Sequence, residues 1–235
     1  MSAEVYPVVH VINPEQAMEQ SELAFDVGAD GIFLIDHDKT KDPGLLLEVF
    51  GQVALRFIDK PIGVNILEAG SPLNSYRQTL QAFKDGTISR LPDAIWDDDA
   101  VDIDPNFSVF RQNNHELEKV EFFGGIAFKY QDHFTDDPEE AAELAKEHGL
   151  LVDVITTTGP GTSFSANPEK LQAMKPVAEA IGKKLAVASG VTPENADLYI
   201  PHVDIILVSS GIETESYSGI FVESKARELI EKAHN

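Results

Sequence analysis

A chain of 235 residues is long enough for one (β/α)8 barrel and too short for a barrel with a second sizeable domain. Asp and Glu number 40 against 18 Lys and Arg, giving a formal net charge of -22. Such a field repels phosphate backbones and anionic lipid, so we expect neither nucleic acid nor a membrane surface as a partner. Cysteine is absent, which excludes disulfides and thiolate chemistry.

The hydropathy pattern is that of a globular protein. No apolar run approaches the ~18 residues that a membrane-spanning helix needs. The first residues carry no basic segment followed by an apolar one, so we expect no secretory signal and a cytoplasmic location. The acidity fits either a high-salt cytosol or a very soluble protein.

Short apolar runs rich in branched residues alternate with amphipathic segments along the chain, which is typical of buried parallel strands and their crossover helices. We predict strands at residues 5–11, 31–36, 61–67, 94–99, 122–129 and 152–157, and in the stretches 185–193 and 205–212. Helices are predicted to begin where a capping residue precedes proline, at Asn13, Asp42, Ser71, Asp137, Asn167 and Thr192. A last helix carries Val222, Ala226, Leu229 and Ile230 on one face, and residues 102–110 are predicted to be irregular.

Eight strand and helix alternations without a long hydrophilic linker predict an α/β fold, a single (β/α)8 TIM barrel over residues 1–235. A doubly wound dinucleotide-binding sheet is disfavoured, because no Gly-x-Gly-x-x-Gly follows the first strand. The loop at residues 158–163 lacks the Gly-Lys-Ser/Thr of a P-loop, so ATP binding is not indicated.

The last two predicted strands both end in serine and glycine. Glycine lets an anion approach backbone amides, serine adds hydroxyl donors, and the last two strand ends of such barrels commonly bind phosphate. We therefore predict a phosphate site formed by Ser189, Gly190, Ser209, Ser210 and Gly211. The alternative is that the two glycines only relieve tight turns.

Candidate catalytic residues come from the carboxyl ends of the strands, where barrel active sites lie. Lys129 would be costly at the end of an apolar strand unless an anion meets it, either a substrate phosphate or a nearby aspartate in an ion pair. His10 could act as an acid or base, or be a hydrogen-bonded structural residue. Asp36 could pair with Asp97 or Asp98 as an acid/base couple, since only one of those two faces the mouth. Solvated loop carboxylates are the alternative.

Further polar residues at strand ends are predicted to bind substrate, namely Asn65, Thr157, Gly159, Gly161 and Thr162. Mobile amides and hydroxyls in the loop after strand six could close over a sugar or a phosphate. We expect no cofactor and no dedicated metal site. The spacing of Asp36, His37 and Asp38 gives only a weak signal for Mg²⁺, and no histidine pair supports zinc.

Several motifs together resemble the BtpA/SgcQ family of barrel proteins. Residues 8–11 are similar to that family's first-strand "MVHL", and residues 61–67 are similar to its "PVGVNVL". Ala127-Phe128-Lys129 stands where the family has "VKH", with Tyr130 in place of the following histidine, and residues 189–195 match its "SGVTPEN". The resemblance spans most of the chain and implies a ribulose-phosphate-binding type of barrel. It also implies roles for His10, Asn65, Lys129 and the Ser189-Gly190 turn.

Two functions follow from these patterns. The first is an enzyme acting on a phosphorylated sugar or phosphoribosyl-type small molecule, as an isomerase, a lyase or a glycosidic-bond cleaving enzyme. A reaction like that of phosphoribosylanthranilate isomerase is one version, although no cysteine is present to act as its base. The second is a non-enzymatic, BtpA-like assembly or ligand-sensing factor. A homo-oligomer is compatible with both.

Overall fold

The structure, a computed structural model of the chain, describes residues 2–36 and 43–235. Its strands are β1 (Glu4–Val11), β2 (Ile32–Asp36), β3 (Ile62–Asn65), β4 (Ala94–Asp97), β5 (Glu121–Gly125), β6 (Val154–Thr158), β7 (Lys184–Ala188) and β8 (Ile205–Val208). Each strand pairs in parallel with the next, and β8 pairs with β1 to close the barrel. The predicted (β/α)8 barrel is confirmed.

Seven α-helices occur in the described part of the chain. They are α1 (Pro14–Asp26), α2 (Pro43–Arg56), α3 (Pro72–Lys84), α4 (Asn106–Asn113), α5 (Pro138–His148), α6 (Pro168–Ala180) and α7 (Glu223–His234). The predicted capping is confirmed at Asn13, Ser71, Asp137 and Asn167, whose side chains accept amide hydrogen bonds from the first turns. None of the described helices combines the length and the apolar character that crossing a bilayer requires. The predicted cap Asp42 lies outside the described residues.

The connection between β7 and β8 differs from the prediction. In place of the helix predicted to begin at Thr192 there are two short 3-10 turns, Ala196–Leu198 and Ile200–His202. Asn195 supplies the physical reason. Its Oδ1 accepts from the Thr192 amide at 2.7 Å and its Nδ2 donates to the Gly190 carbonyl at 2.8 Å. A side chain that bonds nearby backbone groups in this way competes with helix formation.

The prediction of an irregular segment at residues 102–110 is confirmed for residues 102–105 and wrong for the rest, because α4 begins at Asn106. This short helix is stabilised by packing. Phe107 is buried, and its ring lies 5.1 Å from that of Tyr76 and 5.0 Å from that of Phe122. Tertiary contacts of this kind override weak local propensity.

Apolar side chains fill the interior of the barrel below its mouth. The ring of Phe33 is fully buried, with centroids 6.0 Å from Tyr6, 5.8 Å from Trp96 and 5.0 Å from Phe123. Gly63 makes room for this ring, because a Cβ there would lie 2.2 Å from it. A second, larger apolar cluster lies between the strands and the helices. The barrel interior is therefore fully packed with side chains. A ligand cannot enter it and can bind in the barrel only at the mouth.

Left-handed backbone is concentrated in the loops that follow the later strands. Among the described residues other than glycine, positive φ angles of 50 to 76° occur at Ala127, Tyr130, Ser163, Ser189 and Tyr217. All five lie in loops that follow β5, β6, β7 or β8. Each such conformation costs about 1–3 kcal/mol, and this strain tends to cluster at functional sites. The carboxyl end of the barrel is therefore where a site is expected.

Gly190 allows a comparison of backbone strain with steric packing. It has φ +71°, and a Cβ there would lie 2.4 Å from the backbone of Ser165, whereas Gly182 has φ +69° with open space around it. We expect Gly182→Ala to lower the free energy of unfolding by about 1–2 kcal/mol, the cost of left-handed backbone alone. Gly190→Ala should lower it by at least about 2 kcal/mol more, because the neighbouring loop must move. Urea unfolding of both variants measures the difference. Equal losses would contradict the close packing of these two loops.

Candidate functional site

A two-lobed cavity, referred to below as the mouth cavity, opens at the carboxyl ends of the strands. Its two lobes share the lining residues His10, Ile35, Trp96, Lys129 and Thr162. The larger lobe has a volume of about 400 Å³ and the smaller one about 70 Å³. Together they have the size of a site for a small organic ligand.

The smaller lobe lies between the ends of β7 and β8. Its lining includes all of the residues predicted to bind phosphate, which are Ser189, Gly190, Ser209, Ser210 and Gly211. The amides of Gly190, Ser210 and Gly211 donate to no acceptor within the part of the chain that the structure describes. Gly211 also has a packing role, because a Cβ there would lie 1.8 Å from the Val191 carbonyl oxygen. The turns therefore combine close packing with amides that can bind an anion.

The three serines of this lobe are not equivalent. Ser209 Oγ donates to Glu213 Oε1 at 2.8 Å, so its one hydrogen is not available to a phosphate. Ser210 Oγ accepts from Ser163 Oγ at 3.1 Å, which leaves its own hydrogen to donate. Ser189 Oγ is buried and bonds to none of the described groups. Ser189 and Ser210 thus each keep a hydrogen to donate, and Ser209 belongs to a different network.

Lys129 brings a cation into the mouth cavity from the loop after β5. The strand was predicted to run to Lys129, but it ends at Gly125, and the left-handed Ala127 turns the chain. The Lys129 amide donates to Thr158 Oγ1 at 2.8 Å, and Nζ donates to Thr162 Oγ1 at 3.1 Å. The lysine is therefore held by the end of β6 and by the loop that follows it.

The Lys129 ammonium forms no ion pair with a carboxylate of the described residues. Burial lowers the pKa of this lysine, while Asp98 and Tyr130 oppose the shift. A cation that is partly desolvated and has only a hydroxyl as its hydrogen-bond partner can gain from an anionic ligand. The sequence left open a structural ion pair between Lys129 and a nearby aspartate. No such ion pair forms among the described residues.

Asp98, and not Asp97, faces the mouth cavity. Asp97 Oδ2 accepts from Ser75 Oγ of α3 at 3.3 Å, which places this carboxylate outside the barrel. Asp98 lines the larger lobe, and its Oδ1 accepts from Asn65 Nδ2 at 3.2 Å. Burial raises the pKa of Asp98 to about 6, although Lys129 and Asn65 oppose the shift. A carboxyl with such a pKa can exchange a proton near neutral pH.

His10 lies at the end of β1 with a side chain only 12% exposed. Its Nδ1 is 3.2 Å from Glu213 Oε1 and 3.0 Å from Ser209 Oγ, and its ring lies 5.6 Å from that of Tyr217. Glu213 stands in the loop after β8 and is buried. Sequence reasoning missed Glu213, because nothing in its neighbourhood distinguishes it from the other acidic residues.

The remaining predicted residues fall into two groups. Asp36 and Thr162 line the larger lobe, and Asn65 reaches it through Asp98. Thr157 is fully buried, and its Oγ1 donates to the Ala127 carbonyl at 3.1 Å. Thr157 therefore braces the loop that carries Lys129 and does not line the cavity.

Gly159 and Gly161 also lie apart from the lining of the mouth cavity. A Cβ at Gly159 would lie 2.5 Å from the Ser165 carbonyl oxygen, and one at Gly161 would lie 3.2 Å from the Phe164 ring. Both glycines thus fit the tight path of the loop after β6. Their predicted contact with substrate has no support in the geometry.

No group of three or more His, Asp or Glu side chains within residues 2–36 and 43–235 is arranged to hold a metal ion. His37 and Asp38, part of the weak magnesium signal, lie outside those ranges. The absence of a cofactor and of a metal site stays a prediction.

The fold and the position of the cavity define a (β/α)8 barrel with a cavity at the carboxyl ends of its strands. No protein-family model and no curated protein sequence matches the chain, so the BtpA/SgcQ resemblance stays a prediction from motifs.

Among solved structures, the chain is similar to phosphoribosyl anthranilate isomerase from Thermococcus kodakaraensis, with 19% identity, a TM-score of 0.68 and 99% of each chain covered. The same enzyme from Thermotoga maritima gives 15% identity and a TM-score of 0.67, covering 99% of this chain and 98% of the other. (S)-3-O-geranylgeranylglyceryl phosphate synthase from Thermoplasma acidophilum, solved with its substrate sn-glycerol-1-phosphate, gives 12% identity and a TM-score of 0.66, covering 99% and 94%. At these identities the likeness shows the fold.

The desolvation of the half-buried Asp98 carboxyl predicts a pH-dependent gain in stability for Asp98→Asn. Because folding raises the pKa of this carboxyl from 3.8 to about 6, the folded state binds more protons than the unfolded state between those pH values. Its contribution is therefore lost as pH rises through that window. Asn cannot ionise, so the variant should match the wild type near pH 4 and exceed its unfolding free energy by more than about 1 kcal/mol at pH 7.

The exposed Asp132→Asn is the matched control, since this side chain lies on the surface. Urea unfolding of the wild type and both variants between pH 4 and pH 7 gives the difference curves. A flat curve for Asp98→Asn, like that expected for the control, would show that the Asp98 carboxyl is not destabilised by burial.

Proposed function

We propose that this chain is an enzyme that binds a phosphorylated sugar or phosphoribosyl-type small molecule and moves a proton on it, as an isomerase or a lyase. The observation that carries the proposal is the composition of the mouth cavity. In a protein of net charge -22, this cavity combines a lysine without an ion-pair partner in the described chain and a set of amides without acceptors. Such a combination is suited to a dianion.

The phosphate group would lie in the smaller lobe. The amides of Gly190, Ser210 and Gly211 and the hydroxyl of Ser210 would donate to it, and the Lys129 ammonium borders the same lobe. Amides held by the fold need no reorganisation on binding, because the turns that carry them are already closely packed. The rest of the substrate would extend into the larger lobe.

Proton transfer would fall to His10 and Asp98, which both line the larger lobe. An isomerase or lyase of this class removes a proton beside a carbonyl and protonates an oxygen or a leaving group. Asp98, with a pKa raised to about 6, can serve as one partner and His10 as the other. The Lys129 ammonium would stabilise negative charge that develops on the oxygen between them.

The comparisons support this class of substrate. The similar solved structures include a phosphoribosyl anthranilate isomerase and a synthase bound to sn-glycerol-1-phosphate, both named for phosphorylated compounds. The residues that carry the BtpA/SgcQ resemblance, His10, Lys129 and the Ser189-Gly190 turn, line the mouth cavity, and Asn65 touches it through Asp98. Because the residues of these motifs lie at the mouth cavity, they support the interpretation of this cavity as a functional site.

Lys129→Met tests the proposal, because it keeps much of the side-chain volume and removes the charge. Trp96 is the one tryptophan of the chain and lines both lobes, so its fluorescence reports ligand entry. Ribose 5-phosphate should change that fluorescence and raise the melting temperature of the wild type, whereas ribose should not. We expect Lys129→Met to weaken binding of ribose 5-phosphate at least about 10-fold, the value of a charge-assisted hydrogen bond.

Lys146→Met, an exposed substitution on α5, is the matched control and should bind like the wild type. Equal binding by Lys129→Met and the control would contradict the role given to Lys129. Absence of binding by inorganic phosphate, ribose 5-phosphate and other sugar phosphates to the wild type would refute the phosphate site. Binding that survives with no turnover of any sugar phosphate would instead favour a ligand-sensing factor.

A further inference from the structure

We infer that Glu213 is a positioning residue that fixes the orientation and the tautomer of His10. The catalytic role of His10 in this inference rests on the proposed function. The contacts between Glu213 and His10, and the test of the tautomer, are independent of it. Glu213 lies 203 positions from His10 in the sequence, and the closure of β8 against β1 brings the two together.

The Glu213 carboxylate is buried, with a residue exposure of 1%. Its oxygens accept hydrogen bonds from three donors and lie beside His10. Oε1 accepts from Ser209 Oγ at 2.8 Å and from the Gly219 amide at 3.2 Å, and it lies 3.2 Å from His10 Nδ1. Oε2 accepts from the Tyr217 amide at 2.8 Å. A buried carboxylate is costly unless it is bonded in this way.

These contacts keep the carboxylate ionised. Burial opposes ionisation, but the interaction with His10 and the hydrogen bonds from Ser209 and Tyr217 outweigh it and lower the pKa of Glu213. An ionised carboxylate only accepts hydrogen bonds, so the His10 nitrogen that faces it must carry a hydrogen. The neutral imidazole is then protonated on Nδ1, and its basic lone pair is on Nε2.

The arrangement is not that of a serine hydrolase. Ser209 and Glu213 both contact the same nitrogen, Nδ1, and Ser209 gives its hydrogen to Glu213. In a hydrolase triad, the serine and the acid contact opposite nitrogens of the histidine. Ser209 is therefore a support for the pair and not a nucleophile.

Glu213 also ties the loop after β8 to His10. Tyr217 and Gly219, whose amides bond the carboxylate, both have left-handed φ, +63° and +66°. Gly219 comes close to β1, since a Cβ there would lie 3.2 Å from the His10 carbonyl oxygen. The loop thus folds around one carboxylate, and the backbone strain at Tyr217 is offset by the hydrogen bonds that this carboxylate accepts. Such support from outside the reacting group is common for a histidine whose orientation matters.

The tautomer of His10 can be measured without any ligand. In protein labelled with ¹⁵N-histidine, at a pH of about 8.5 where free imidazole is neutral, long-range ¹H–¹⁵N spectra distinguish the two tautomers. His10→Asn identifies the signal of His10. We expect the wild-type signal to be that of the Nδ1–H form, and Glu213→Gln to give a mixture of both forms. Ser209→Ala should keep the Nδ1–H form, because the carboxylate remains.

Glu215→Gln, an exposed substitution in the same loop, is the matched control and should leave the His10 signal unchanged. An Nε2–H form in the wild type would overturn the inference by itself, even if Glu213→Gln failed to fold. An unchanged Nδ1–H signal in a folded Glu213→Gln would overturn it as well. Failure of ribose 5-phosphate to bind, with the expected tautomer present, would remove the proposed function and leave the positioning of His10 in place.

Discussion

The site depends on one electrostatic constraint, the placement of a partly desolvated ammonium at the mouth of a strongly acidic barrel. Lys129 is held there by hydroxyl and amide contacts to Thr158 and Thr162, and no carboxylate of the described residues neutralises it. Burial lowers its pKa, and this cost falls when an anion binds. The net negative charge of the protein repels phosphates. A phosphate can therefore bind only where a local cation and fixed amides attract it.

A second lysine keeps the first in place. Lys170 of α6 is fully buried, and its Nζ donates to the carbonyls of Ala127 at 2.7 Å and Thr158 at 2.9 Å. Burial lowers its pKa to about 8, with Asp136 opposing the shift. The carbonyl of Ala127, in the left-handed turn, therefore accepts hydrogen bonds from both the Lys170 ammonium and the Thr157 hydroxyl. The loop that presents Lys129 is therefore part of the rigid fold, which reduces the entropy cost of binding.

Much of the fold was readable from local signals, because the barrel repeats one unit. Capping residues such as Asn13 and Asp137 act within four residues of themselves, so their sequence pattern is sufficient. The prediction of a helix between β7 and β8 was wrong because the Asn195 side chain bonds to the backbone and competes with helix formation. Composition does not reveal these bonds. The helix at residues 106–113 was missed because the burial of Phe107 stabilises it.

The candidate site could be predicted only in part, because some of its residues are brought together by contacts between distant parts of the chain. The doubled Ser-Gly pattern located the smaller lobe, since position in a barrel is fixed by strand order. Strand alternation showed that only one of Asp97 and Asp98 faces the mouth, but the apolar neighbours on both sides left the choice open. Glu213 has no local signal at all, because its partner His10 lies at the other end of the chain.

The most direct test of the central claim is a crystal structure of the protein soaked in ribose 5-phosphate. The account predicts a phosphate group between the amides of Gly190 and Gly211, with the Lys129 ammonium within hydrogen-bond distance of the ligand. An empty smaller lobe in crystals that bind the ligand elsewhere, or a Lys129 turned away and paired with Asp98, would contradict it.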